Sequence, residues 1–451
     1  MKKNLIPALM FTCFMFMQGA SWAATEFSLG GFIKLVSFWD STQTTNHMNA
    51  PIQRNNNPNF HHGRLVFTAQ ESRFNFTIKG PKLWGAAISG FLEMDFDCRQ
   101  VLPPSASNSF NPQLRHAMFR LNWPGTELLV GQYWSMFSEW FPEVAENGPF
   151  QGTGTVISRM PQVRLSQTFL SDWTVAALVG NPNPASLPAI ATNPYGASDN
   201  GEAAESPQIQ GKIRYQRDWW GKAPYYGKPL PFTAQITAGW QRNVIRQQAL
   251  ALRTFGQNAF VNFNGFVNQR YLNPWLVMGT AFIPVIPTRT ANMAGTASIL
   301  TQWWIGQGVE AFGAAGLASN IYRFDSNISG NNFFEVELQK RWGGFVQAKY
   351  YFTNQWFLNL AYGISKAFGI SQDQNPLAPG SRETALSADQ QKIWQQVDLT
   401  LWYRPIMPLK FCLQYSFART DWLQKIGDAG GQHPSDFGTQ HRVQFAGIFF
   451  F

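Results

Sequence analysis

The sequence predicts an antiparallel transmembrane β-barrel of about sixteen strands, with long extracellular loops and short periplasmic turns. Three observations carry this. Apolar and polar residues alternate with period two along most segments, which is the strand period rather than the helical one. Aromatic residues make up 15% of the 451-residue chain and charged residues only 14%, yet mean hydropathy is slightly negative, at −0.21. A barrel in a bilayer gives that combination, because lipid-facing and lumen-facing residues alternate and average out. Long and short connections also alternate along the chain.

Residues 1–23 stand outside the pattern. Lys2 and Lys3 precede an apolar run, and Ser21 and Ala23 supply small residues at its end. That is the form of a cleaved secretory signal peptide. A membrane-anchoring helix is the competing reading, but Pro7 interrupts the run and Gln18-Gly19 closes it. Cys13 lacks the preceding small residue of a lipoprotein signal. A single domain, 24–451, remains, and loss of the two lysines lowers the formal charge from +9 to +7. Cys98 and Cys412 are too few for a disulfide framework and read as unpaired. No later segment offers the roughly 20 apolar residues of a spanning helix: 271–288 carries Pro274, Pro284 and Pro287, and 290–309 is rich in Thr, Gln, Ala and Gly.

Strands are expected at 26–40, 64–79, 85–97, 113–122, 126–134, 153–168, 172–180, 207–217, 232–243, 269–283, 296–307, 332–352, 355–366, 391–404, 408–420 and 439–451. In "FTAQITAGWQ", Phe232, Ala234, Ile236, Ala238 and Trp240 share one face and Thr233, Gln235, Thr237 and Gln241 the other. "QIQGKIRYQ" and "VDLTLWYR" divide in the same way. In the last strand Val443, Phe445, Gly447, Phe449 and Phe451 face one side, Arg442 and Gln444 the other. The 332–352 segment must be one long strand, kinked or bulged at Gly343-Gly344. The 244–268 loop could hide a further strand, and 218–231 and 284–295 count as turns. A soluble β-sandwich would alternate too; Trp84, Trp123, Trp173, Trp356 and Trp422 near strand ends favour interfacial girdles instead.

If the apolar faces meet lipid, the opposite faces line the lumen. This predicts inward basic residues at Arg73, Lys79, Arg120, Arg164, Lys212 and Arg214. Further along come Lys349, Arg404, Lys410 and Arg442. Glu93, Asp95 and Asp97 share one face of "FLEMDFD" and are the inward acidic set. Fixed charges on a low-dielectric wall focus the field in the lumen and select solutes by sign. The loop 135–152, "SMFSEWFPEVAENGPFQG", carries Glu139, Glu143 and Glu146 among aromatics. It either folds into the lumen as a constriction or packs on the surface at a subunit contact. Phe450 has lumen parity but is expected at the periplasmic rim, outside the pore.

Catalysis finds little support. His61-His62 sit in a polar loop without further metal ligands, and no HExxH, GxSxG or P-loop pattern occurs. Ser89 and His116 could face the lumen, but nothing in the sequence joins them. No cofactor is expected. Export and the absence of Lys/Arg-rich runs argue against nucleic acid.

"FSLGGFIKL" (27–35), "SRFNFTIKGP" (72–81), "GFLEMDFD" (90–97), "LRHAMFRLNW" (114–123) and "LLVGQYWSMF" (128–137) together resemble the DcaP-type trimeric porins. The resemblance covers residues 27–137 well; beyond that it is limited to general porin character and the terminal aromatic. It implies a sixteen-stranded homotrimeric outer-membrane barrel passing small, often negatively charged solutes such as dicarboxylates. It places Arg73, Arg115, Arg120, Glu93 and Asp95 at lumen or structural positions. A C-terminal aromatic, here Phe451, would be read by the barrel-assembly machinery, and the outer wall would meet lipid and lipopolysaccharide. The expected function is passive diffusion of small hydrophilic, anion-biased solutes. The alternatives are a fatty-acid-type transporter, which needs an N-terminal plug and a greasy lumen, and a closed structural or adhesive barrel.

Overall fold

A computed structural model describes residues 25–42, 54–55, 62–97, 112–146, 148–183, 205–245, 248–255, 260–267, 270–314, 320–325, 333–368, 391–426 and 434–451. The expectations for the signal peptide, His61 and Cys98 lie outside these residues; Cys412 is buried and free.

Sixteen antiparallel strands form one closed sheet. They are β1 (Glu26–Asp40), β2 (Arg64–Thr68 continued by Arg73–Leu83), β3 (Ala86–Asp95) and β4 (Gln113–Trp123). Then follow β5 (Thr126–Trp134), β6 (Arg159–Phe169), β7 (Trp173–Gly180) and β8 (Gln208–Arg217). The third quarter is β9 (Phe232–Trp240), β10 (Trp275–Ile286), β11 (Ala297–Gln307) and β12 (Lys340–Tyr351). The last is β13 (Trp356–Phe368), β14 (Gln391–Ile406), β15 (Leu409–Ile426) and β16 (Ser435–Phe450). Each strand pairs with its chain neighbours, and β1 pairs with β16 from Phe32↔Phe450 to Asp40↔Arg442, which closes the barrel. Closure removes every free edge, as a bilayer without water requires.

β2 is interrupted. Both of its pieces pair with β1, and between them the chain leaves the ladder. Glu71 from this break is buried and ion-paired with Lys34 of β1.

Two expected strands differ. The segment 332–352 is two strands, Phe333–Leu338 and β12, broken at Gln339. The first piece leaves the barrel for a four-stranded sheet with Gln248–Phe255, Phe260–Val267 and Asn320–Asp325, so the barrel count stays at sixteen. The 244–268 loop therefore does hide strands. No bulge occurs at Gly343-Gly344: the register runs unbroken to Trp304 and Trp303 on one side and to Ser365 and Ile364 on the other. Both glycines make room for those two indoles. Residues 153–158 belong to the preceding loop, since β6 begins only at Arg159.

The burial pattern is inside out relative to a soluble fold. Ile236 is 64% exposed while its neighbour Gln235 is 3% exposed. Val443, Phe445, Phe449 and Phe451 are exposed and Arg442 and Gln444 buried, as the alternation predicts. Trp84, Trp173 and Trp356 are exposed near strand ends, but Trp422 is not. It is buried with the Arg54 guanidinium 4.5 Å over its ring.

One side of the interior is greasy. Val36, Phe38, Tyr351, Phe357, Trp402 and Cys412 form a buried cluster reaching from β12 round to β1, with Ala145 of the 135–158 loop among them. Phe450 packs against it, with its ring 5.8 Å from that of Phe32. Phe450 ends β16, at the rim as expected, but it also lines an interior cavity and so is not outside the pore. The adjacent strand β1 supplies Phe32 opposite it and holds it there.

Candidate functional site: the lumen and its inward loop

The loop after β5 folds into the barrel. It crosses the lumen and hydrogen-bonds to the wall almost all the way round. Met136 N–H donates to Gln210 Oε1 on β8 at 2.8 Å, and Trp140 Nε1 to Gln235 on β9 at 3.3 Å. Farther along, Trp402 Nε1 on β14 donates to Glu143 O at 3.2 Å, and Ala145 N–H to Gln414 Oε1 on β15 at 2.7 Å. The segment 150–154 lies directly on the wall: Trp304 Nε1 donates to Gly154 O at 2.7 Å, and a Cβ on Gly363 would clash with Phe150. Buried backbone groups need such partners; here inward Gln, Asn and Trp side chains supply them.

The three loop carboxylates are ion-paired to predicted lumen cations. Glu139 accepts from Lys212 Nζ at 2.5 and 2.7 Å and from Arg164 Nη1 at 3.3 Å. Glu143 is held by both Lys349 and Lys410. Glu146 lies 3.4 Å from Arg442 Nη1, and Arg442 also donates to Asp40 at 2.6 and 3.0 Å. Burial pushes the Glu143 carboxyl up, but the two ammonium groups outweigh it and bring it to about 2. For Glu146, burial and then the neighbouring Asp398 carboxylate push the carboxyl up, opposed only in part by Arg442. Five of the inward cations thus hold the loop.

The remaining predicted residues divide by position. Arg73 lies 3.6 Å from Glu93 and 3.8 Å from Asp95. Arg120 lies 3.7 Å from Glu127, with its guanidinium 4.9 Å from the Tyr133 ring. Asp97 lines one of two cavities beside the loop, and Arg214 lines the other, on the periplasmic side. Arg214 has no hydrogen-bonded partner among the described residues, and its Nε is buried without one. Two predictions shift to the rim. Lys79 is 65% exposed and pairs with Glu26, the first residue of β1, directly opposite it in the ladder. Arg404 bonds the Met407 carbonyl of the β14–β15 turn.

Arg115 shows how parity reasoning by itself fails. Its alternation places it on the lipid face, beside exposed Phe119. A β-bulge between β3 and β4 shifts the register at Glu93/Met94, and both Arg115 and His116 turn inward. Such an extra residue re-aims side chains. Arg115 Nε then donates to Glu93 at 2.8 Å, and its Nη1 pairs with Asp95. The sequence signal was the run Arg115-His116, two polar residues where alternation permits one.

Two cavities flank the loop, of about 800 Å³ and about 760 Å³; the first runs from Asp97 and Asn183 to Phe32, Ile448 and Phe450, and the second lies on the periplasmic side, by Glu127, Thr174 and Lys228. Charges of both signs are nearly balanced in the first, where Lys34, Arg73, Arg115, Arg159 and Lys410 face Glu71, Asp97, Glu143 and Glu146. The second carries Arg120, Arg164, Lys212, Arg214 and Lys228 against Glu127 and Glu139.

The barrel is similar to solved outer-membrane proteins. The outer membrane channel DcaP of Acinetobacter baumannii superposes with a TM-score of 0.64 at 17% identity, over 96% of this chain and 99% of that one. An anion-selective porin from Comamonas acidovorans gives 0.52 at 10% identity, over 95% and 100%. The OmpT outer membrane protein of Vibrio cholerae, in trimer form, gives 0.51 at 9% identity, over 95% and 100%. No family model matches the chain, and no curated protein sequence matches it. The fold is that of the sixteen-stranded outer-membrane porins.

Proposed function

We propose that this chain is a passive diffusion porin of the outer membrane for small hydrophilic solutes, with a bias towards anions. The observation that carries the bias is the cavity on the periplasmic side of the loop, where five basic side chains face two acidic ones. A low-dielectric barrel wall focuses that excess, and solute transfer follows the local potential. Steric sieving by the inward loop supplies the rest, with no energy coupling and no chemical step. The open space on both sides of the loop supports a channel over a closed structural barrel. The charged wall along β2–β8 supports hydrophilic over greasy solutes.

The same reading has residues 1–23 removed on export and Phe451 recognised during barrel assembly. The outer wall contacts lipid and lipopolysaccharide, and three barrels associate. The trimeric neighbour supports that last step. A planar-bilayer recording under a salt gradient tests the function: an ohmic conductance with an anion-shifted reversal potential is expected. Folded protein that conducts nothing would overturn it.

A further inference from the structure

The turn between β8 and β9 is not a surface loop. Ala223–Tyr225 and Lys228–Leu230 pair as a small hairpin that folds up into the barrel. Ala223 is buried against Phe282, Leu300 and Phe345 on β10–β12 and against Trp140 of the inward loop, with Tyr225 and Leu230 packed beside them. Its base is tied to the next periplasmic turn: Lys222 and Thr288 exchange backbone hydrogen bonds of 2.9 and 2.8 Å. Trp220 Nε1 donates to Pro284 O at 2.7 Å. Pro224 and Pro229 face each other across the hairpin and fix φ on both strands, which stiffens it.

The tip carries the signal. Tyr226 and Gly227 are the two central residues, with φ of 47° and 76°. Such two-residue turns favour Asn-Gly or Asp-Gly, because the left-handed region is costly for a bulky side chain. Strain of this kind persists where surrounding contacts impose it, and it points to function. Here the contacts are with the inward loop. Tyr226 OH donates to Pro142 O at 3.0 Å, and Tyr225 OH accepts from Phe141 N–H at 3.1 Å. Tyr226 is nevertheless 46% exposed. Three aromatic residues, Trp134, Phe141 and Tyr226, line both cavities. The Trp134 and Phe141 rings are 5.4 Å apart.

We infer that Tyr226, carried on this periplasmic hairpin, is a size-determining residue of the passage. It is one jaw of an aromatic eyelet whose other members are Trp134 and Phe141. The inference rests on the diffusion-porin reading and deepens it. The loop descends from the extracellular side and the hairpin rises from the periplasmic side. The Tyr225 hydrogen bond with Phe141 N–H holds the hairpin against the loop, and the Tyr226 ring narrows the gap between the two chambers.

The test is liposome swelling with neutral sugars of increasing size, so that charge selection plays no part. Tyr226→Gly removes the ring and suits the left-handed backbone, so the hairpin keeps its fold. Heat-modifiable electrophoretic mobility checks the barrel in each variant. The expected result is a size limit shifted to larger sugars in Tyr226→Gly and an unchanged limit in Tyr226→Phe, which keeps the ring. A wild-type protein that admits sugars while folded Tyr226→Gly shows the same limit would overturn the eyelet and leave the porin reading standing. Folded wild type that admits no sugar would overturn both.

Discussion

Glu143 of the inward loop is ion-paired with Lys349 on β12, a residue 206 positions later in the chain. Lys410 on β15 completes the clamp from a neighbouring part of the wall. The loop is therefore fastened to the barrel on the side opposite its own strands as well as to β6 and β8, where Glu139 meets Arg164 and Lys212.

Glu143→Gln should loosen that clamp. It leaves two ammonium groups buried without their counter-ion, a change that costs about 3–5 kcal/mol for a buried pair. Denaturant unfolding of the purified barrel should report the loss, and single-channel records should show raised open-channel noise as the loop moves. Unchanged stability would show that the clamp is solvated and weak.

Acid should act on the same clamp. The Glu143 carboxyl is held down, from 4.5 to about 2, so its contribution to stability is fully present above 4.5. It fades as pH falls from there towards 2. Wild type should resist proteolysis of the loop better than Glu143→Gln from neutral pH to about 5, and that difference should shrink only in more acid solution. A difference that vanishes near neutral pH would contradict the assignment to Glu143.

Arg214→Glu should move ion preference towards cations, because this guanidinium faces the periplasmic-side cavity with no hydrogen-bonded partner among the described residues. Lys212→Glu should do so too, while also placing a second carboxylate against Glu139 and disturbing the loop. Lys79→Glu should leave selectivity nearly unchanged, since Lys79 is exposed at the rim beside Glu26. Reversal potentials under one salt gradient rank the three variants. Equal effects from all three would show that selectivity does not arise at the periplasmic-side cavity.

Ile236→Arg tests the outer face. Ile236 is exposed at the middle of β9. A charge on the lipid face near the bilayer midplane costs about 2–4 kcal/mol. Unfolding from lipid vesicles should show that loss, and the same substitution at the inward-facing neighbour Gln235 should not reproduce it through lipid contact.

Alternation alone placed most of the spanning strands and told lipid face from lumen face, because a two-residue period leaves no freedom once one side is in lipid. It failed where the backbone departs from the period. The bulge at Glu93/Met94 turned Arg115 inward. The break at Gln339 sent Phe333–Leu338 out of the barrel. The three loop glutamates were legible as candidates, but their partners were not. Lys349, Lys410 and Arg442 read as bare lumen charges until the loop met them in space. The hairpin at 223–230 was least legible of all. Tyr226-Gly227 lacks the usual Asn or Asp of such a turn, and its reason for being there is a contact with Pro142, 84 residues away.

The central claim is selective passive diffusion through the lumen, and one recording tests it most directly. The folded wild-type barrel is inserted in a planar bilayer under a potassium chloride gradient, and the reversal potential is read. Ohmic channels with the potential displaced towards that of chloride are predicted. A well-folded barrel that inserts and carries no current, or a potential displaced towards that of potassium, would contradict the account.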